Sequence, residues 1–169
     1  MEMSDLMKKK TILFTILFLL IEEGLKYLIC NLINWQTVSV IPNFFSLSYV
    51  ENTGAAWSIL MGKRYLLVGI SLIMLFVIGD IQKSVKDSKL NYISFSLIYA
   101  GVIGNLMDRT LFGAVKDFFA FNIFGYQFPV FNIADMFIVI AVVLIIILMI
   151  RGGKNGKDSS KDRKKDENR

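Results

Sequence analysis

Histidine is absent from this chain of 169 residues, and cysteine occurs once. Without an imidazole, Ser–His and Cys–His nucleophilic catalysis are excluded. A zinc site built from histidines or several cysteines is excluded with them. Cys30 cannot close an intramolecular disulfide, and Leu28-Ile29 before it lacks the small residues that a lipid-attachment site requires. It reads as a small apolar core residue. A cleavable leader is also missing its signature. Lys8, Lys9 and Lys10 precede an apolar stretch, Thr11–Ile21, but Glu22-Glu23 follows where a small-x-small site would stand, so an uncleaved anchor is expected. No internal repeat is visible.

What the chain does have is apolar residue, 54% of its length, and a mean hydropathy of +0.55. These values predict an integral membrane protein with one domain, residues 1–150. Four apolar segments stand out, near Ile12–Ile33, Tyr65–Ile78, Tyr92–Met107 and Ile133–Ile150. A spanning helix takes about 20 apolar residues. The first and last satisfy this, whereas the second and third are short. Charge placement argues that all four span. One basic cluster precedes the first segment, Lys83, Lys86 and Lys89 separate the second from the third, and Arg151 opens a third cluster after the fourth. Four crossings put all three clusters on one side, with only Lys63, Arg64, Arg109 and Lys116 opposite and Lys26 inside the first helix. The positive-inside rule then predicts both termini in the cytoplasm and two loops outside. Much of the net charge of +5 comes from these flanks and from 151–169, a tail rich in Gly, Ser, Lys and Asp that is expected to be disordered. Its basic residues read as a topology signal, and no nucleic-acid partner is expected.

The first outer loop, 34–64, contains Phe45, Leu47 and Tyr49 at alternating positions, the pattern of a short strand lying at the lipid surface. Pro42 predicts an edge position for it. Asn52-Thr53-Gly54-Ala55-Ala56 follows, a turn signal whose small residues permit close backbone approach. Trp35 and Trp57 suit interfacial anchoring. The second outer loop, Asp108 to Asn132, is crowded with phenylalanine and reads as a segment in the headgroup region that roofs the helices.

Elimination leaves carboxylates as the chemistry. Asp108, Asp117 and Asp135 fall near the outer face, with Arg109 beside them. Carboxylates near lipid are costly, and they usually face a pathway or a reacting centre. Two aspartates held together share one proton. The ionised one then activates water while the protonated one hydrogen-bonds the scissile amide, an arrangement that needs no cofactor. Asp135, in the first turn of the last helix, suits the base, and Asp117, before Phe118-Phe119, suits the neutral acid. Taken singly, Asp135 is also a helix-start residue and Asp117 a loop charge next to Lys116. Asp108-Arg109 reads as an ion pair or helix-end anchor, with Asn105 placed to hydrogen-bond Asp108. Glu22 and Lys26, spaced i, i+4, read as a buried structural pair.

The ordered motifs resemble those of signal peptidase II, the bacterial lipoprotein signal peptidase. They are Asn52-Thr53-Gly54-Ala55-Ala56, Gly104-Asn105-Leu106-Met107-Asp108-Arg109, Gly113-Ala114-Val115-Lys116-Asp117-Phe118 and Phe131-Asn132-Ile133-Ala134-Asp135. The resemblance spans residues 10–150. It implies an all-α membrane protein of four transmembrane helices with a small extracytoplasmic β-cradle between helices 1 and 2. It implies Asp117 and Asp135 as a catalytic pair, with Asn52, Gly54, Asn105, Asp108, Arg109 and Asn132 around them; Arg109 and Asn52 would hold the substrate backbone. The implied activity is cleavage of diacylated prolipoproteins before the lipidated cysteine, at the outer face of the bacterial cytoplasmic membrane and in contact with its lipids, with neither metal nor cofactor. Three positions depart from the family pattern: Glu22 stands where aspartate is usual, Ala100 where glycine is common and Trp57 where phenylalanine is usual.

Two other classes compete. A small proton- or ion-coupled transporter would place carboxylates near mid-membrane, whereas both key aspartates cluster at one edge. A purely structural helical subunit explains the helices but not the ordered motifs. Gly79-Asp80 lacks the first glycine of the Gly-x-Gly-Asp proteases and falls on the cytoplasmic side.

Overall fold

The computed structural model describes residues 4–34 and 36–166, with the side chains of 151–166 left aside. Four helices form: α1 (Asp5–Leu32), α2 (Arg64–Lys83), α3 (Lys89–Leu111) and α4 (Ile133–Asp166). Each is longer than the apolar run that announced it, and at the starts of α1 and α3 a capping serine carries the helix into polar sequence. Ser4 caps α1 by accepting from the Met7 N–H, and Ser88 caps α3 by accepting from the Asn91 N–H. Among the described residues, three helical stretches are long and apolar enough to cross a membrane: α2, α3 and Ile133–Ile150 of α4. α1 carries Glu22, Glu23 and Lys26 in its second half. α4 runs on to Asp166, through the segment expected to be a disordered tail, and Trp35 lies outside the described residues.

α3 is the central helix and packs against α1, α2 and α4. Several of its polar residues are turned inward: Asn91, Ser94, Ser96, Asn105 and Asp108 are all buried. The remaining helices expose broad apolar faces, including Leu72, Ile73 and Phe76 on α2, as helices solvated by lipid do. Phe95, Ile98 and Val102 of α3 meet Ile78 of α2 and Ala141 and Ile145 of α4 in the main apolar core.

The non-helical segments make one antiparallel sheet of four strands in the order β1-β2-β3-β4: β1 (Thr37–Ile41), β2 (Phe45–Asn52), β3 (Val115–Ile123) and β4 (Tyr126–Gln127). Two sequence expectations need correction. β2 is an inner strand, because Pro42 sits in the turn after β1 rather than in the strand. The sheet is also not confined to the connection between the first two helices. Half of it comes from the aromatic segment after α3, expected above as an outer loop that roofs the helices. The phenylalanines there satisfy one another across strands: the rings of Phe45 and Phe121 stack at 4.7 Å and those of Phe121 and Phe131 at 5.8 Å. Gly113 makes the switch from helix to strand. At φ +87° it takes the left-handed conformation just past the end of α3, and its N–H closes the helix on the Arg109 carbonyl.

Candidate active site

Chain connectivity brings the C-terminal ends of α1 and α3, the N-terminal ends of α2 and α4, and the sheet to one end of the bundle. There β2–β3 pairing sets Val50 opposite Asp117 and Asn52 opposite Val115. Side chains alternate along β3. Phe118 is fully buried against Cys30 and Ile133, so Asp117 points the other way, toward a cavity of about 940 Å³. The lining of that cavity includes Asn52, Asn105, Arg109, Asp117 and Asp135, together with an apolar wall from Trp57, Phe128 and Val139. Cys30 is a buried core residue, as expected.

Asparagines tie the two aspartates together. Asn132 Nδ2 donates to Asp117 Oδ1 at 2.6 Å and to Asn105 Oδ1 at 3.2 Å. Asn105 Nδ2 donates in turn to Asp135 Oδ1 at 2.8 Å. Asn132 also makes a reciprocal cap at the start of α4: its backbone N–H donates to Asp135 Oδ2, and its Oδ1 accepts from the Asp135 N–H. This is the capping-box arrangement with asparagine and aspartate in the two roles. Asn52 completes the set on the other side, donating to Asp117 Oδ2 at 3.0 Å. Thus Asp117 has a donor on each oxygen and remains 2% exposed. Burial pushes its carboxyl up to about 7, and the neighbouring Asp135 charge adds to the rise; the two asparagine donors and Lys26 oppose it. Near neutrality Asp117 can therefore hold or release a proton while accepting two hydrogen bonds, a property suited to general acid–base work.

The Asn52-Thr53-Gly54 turn is locked to α3. Asn52 Oδ1 accepts from the Gly54 N–H at 2.9 Å, and Arg109 Nη2 donates to the Gly54 carbonyl at 2.8 Å. Arg109 Nη1 also donates to the Asn105 carbonyl. Arg109 Nε is buried with no hydrogen-bond partner among the described residues. Trp57, held at a left-handed φ of 53°, donates from Nε1 to the Tyr126 hydroxyl at 3.4 Å and walls the cavity on the sheet side.

Asn52, Gly54, Asn105, Arg109, Asn132 and both aspartates thus converge at one place. Asp108 does not join them at the cavity, and it does not bond Asn105 as the helical spacing suggested. Asn105 is taken by Asp135, while Asp108 turns to Lys26 at 2.9 Å. Lys116 likewise leaves its neighbour Asp117 and approaches Asp108 Oδ1 at 3.6 Å, its ammonium 3.9 Å from the Phe112 ring centroid. The Lys26–Asp108 contact, 82 positions apart, was missed by the sequence reading; a buried i, i+4 pair in α1 was its only signal. Among the described residues no group of three or more His, Cys, Asp or Glu side chains is arranged to hold a metal ion.

Comparison with known proteins gives this arrangement a context. The sequence profile of the family described as Signal peptidase (SPase) II matches residues 14–151. The lipoprotein signal peptidase of Staphylococcus aureus is 38% identical over 152 residues, 88% of this chain and 92% of that protein. The protein of the same name from S. aureus strain MRSA252 matches to the same extent. Two solved structures are similar, both described as a bacterial membrane enzyme determined by the in meso method. The one at 2.3 Å resolution gives a TM-score of 0.73 at 37% identity, covering 86% of this chain and 90% of that one. The other, at 1.9 Å, gives 0.68 at 38% identity, with 82% and 91% covered. Since the profile spans most of the chain and relatives this similar align along nearly their whole length, the protein belongs to the signal peptidase II family and is a membrane peptidase.

Proposed function

We propose that this peptidase is of the aspartic type and removes signal peptides from diacylglyceryl-modified prolipoproteins, cleaving before the lipidated cysteine. The observation that carries the reading is the bonded chain Asp117–Asn132–Asn105–Asp135 facing one cavity. In the proposed reaction, Asp135 takes a proton from a water molecule as that water's oxygen attacks the scissile carbonyl carbon. Asp117, protonated, hydrogen-bonds the carbonyl oxygen and gives its proton to the amide nitrogen as the C–N bond breaks. A proton then passes back to Asp117 before the next turnover. Arg109 and Asn52 hold the substrate backbone, and the apolar wall of Trp57, Phe128 and Val139 accommodates the residues that precede the lipidated cysteine.

The proposal includes the setting. All four helices cross the bacterial cytoplasmic membrane, both termini are cytoplasmic, and the sheet lies at the outer face. Acyl chains of the substrate can then remain in lipid while its peptide reaches the carboxylates. The basic tail, 151–169, adds attraction to anionic lipid on the cytoplasmic side. No role for nucleic acid, metal or cofactor enters the scheme.

The test is cleavage of a diacylated prolipoprotein in lipid nanodiscs by the wild type, Asp117→Asn and Asp135→Asn. General acid–base groups contribute about 10²–10⁴-fold. Each variant is expected to keep its thermal midpoint within a few degrees and to lose about 10³-fold or more in kcat. Substantial turnover by either folded variant overturns the aspartic assignment, and equal cleavage of the unlipidated precursor overturns the substrate.

A further inference from the structure

Lys26 is the most deeply buried cation among the described residues, at 1% exposure, and the scheme above gives it no task. Its ammonium lies 2.5 Å from Glu22 Oε1 and 2.9 Å from Asp108 Oδ2. Glu22 and Asp108 are as buried as Lys26, at 0% and 1%. A pair of this kind is poor evidence for stability, because desolvation consumes most of what attraction returns. The second contact of Asp108 is more informative. The oxygen that meets Lys26, Oδ2, also accepts the backbone N–H of Lys116 at 3.3 Å. Lys116 immediately precedes Asp117 and pairs with Glu51 of β2, one step after Val115 and Asn52 open the ladder.

We infer that Glu22, Lys26 and Asp108 form a positioning relay that anchors the first residues of β3 to α1 and α3 and so fixes where the Asp117 carboxyl stands relative to Asn52 and Asn132. None of the three lines the cavity, so each acts through the strand and not on substrate. The relay fits where it does because α3 has glycine at position 104. A Cβ there would overlap the Glu22 carboxylate. Glu22 therefore stays packed against α3, with its charge on Lys26. Lys26 also acts at a distance: its charge favours the ionised form of Asp117. The relay thereby sets both the place of the acid and, more weakly, its proton affinity.

The inference rests on Asp117 acting as a catalytic acid, and it is tested separately from that reading. In nanodiscs, Lys26→Met keeps side-chain length and removes the charge. It is expected to lower kcat about tenfold or more while KM for the diacylated prolipoprotein stays within about twofold. It should also move the alkaline limb of the kcat–pH profile to higher pH, since an attraction for ionised Asp117 has gone. A purely structural role would not move that limb. If Lys26→Met does not fold, Asp108→Asn carries the test. Its amide oxygen can serve either Lys26 or the Lys116 N–H with no full charge behind it, and kcat should again fall about tenfold at constant KM. Wild-type kcat in either folded variant, or a lower kcat in Lys26→Met with the limb unmoved, overturns the relay. If Asp117→Asn is inert while these variants are normal, only the relay fails; if Asp117→Asn is active, the parent reading fails first.

Discussion

α3 carries a buried polar cluster at each end, and the two are built on opposite principles. At its N-terminal end the groups are neutral. Gln82 Nε2 donates to Thr11 Oγ1 at 3.1 Å and to Asn91 Oδ1 at 3.3 Å, while its Oε1 accepts from the Tyr99 hydroxyl at 3.3 Å. Asn91 Nδ2 donates to the carbonyls of Val85 and Lys86, and Ser96 donates to that of Thr11. Each amide there spends its capacity on a neighbouring helix or on the turn between α2 and α3. At the C-terminal end several groups are charged, a cavity of about 940 Å³ opens beside them, and Arg109 Nε, on its lining, finds no hydrogen-bond partner among the described residues. Buried polar atoms are normally paired, so unspent capacity at the edge of a cavity fits the substrate site proposed above. One cluster closes on itself and fastens helices. The other is left open for chemistry.

The sharpest way to break this comparison is to close the open cluster. Asn132 is its hub, bonding Asp117, Asn105 and Asp135. Asn132→Ala removes a donor to a carboxylate and the cap of α4 together. Hydrogen bonds to charged groups are worth about 1.5–3 kcal/mol, and a positional error of the acid adds to this loss. A fall of about 10²-fold in kcat is expected in single-turnover cleavage, with KM less affected. If kcat changes less than threefold, the asparagine link between the carboxylates is incidental.

A smaller effect comes from pH. With the Asp117 carboxyl at about 7, the proton required for the acid role is held below that value and lost above it. Turnover should therefore fall about tenfold per pH unit above neutrality. The sign for stability follows from proton counting. Between the ordinary carboxyl range and about 7 the folded chain holds a proton on Asp117 that the unfolded chain has released. Stability therefore declines as pH rises through that window, then levels off above it. Asp117→Asn should remove the Asp117 share of this slope from thermal midpoints measured across pH 4 to 8. The neutral cluster has nothing to titrate in the window, so its variants should keep the slope.

The sequence yielded more of the open cluster than of its surroundings. Hydropathy located the four helices because lipid-facing surface must be apolar whatever the helices' partners, and the ordered motifs pointed to Asp117 and Asp135 directly. The strands were harder. β3 reads as an aromatic loop because Phe119 and Phe121 are paired with Leu47 and Phe45 of β2, a fact fixed by register across some seventy positions and by nothing local. Pro42 misled because a proline just before a strand and one inside it look alike until the turn is seen. Asn105 was given the wrong aspartate for a similar reason: helical spacing places Asp108 nearby, but the crossing of α3 with α4 presents Asp135 to the amide. Lys26 was legible as a pair with Glu22, since i, i+4 spacing is local. Its bond to Asp108 depends on how closely α1 and α3 approach at Gly104, which no pattern within either helix records.

The mildest test concerns the closed cluster. Gln82→Leu keeps a side chain of similar size and removes both an acceptor and a donor from a site 3% exposed. Thr11 and Tyr99 then each lose a hydrogen-bond partner, and leaving a buried polar group unpaired costs about 1–3 kcal/mol. The thermal midpoint in nanodiscs should drop by several degrees. Turnover at a temperature where the variant is folded should stay within about twofold of wild type, because the carboxylates proposed to act on substrate lie at the far end of α3. A catalytic loss matching that of Asn132→Ala, at an unchanged midpoint, would mean that the two clusters communicate along the helix. The division into a fastening end and a reacting end would then be wrong, since the neutral amides would have to transmit a shift in α3 to Asn105 and through it to Asp135.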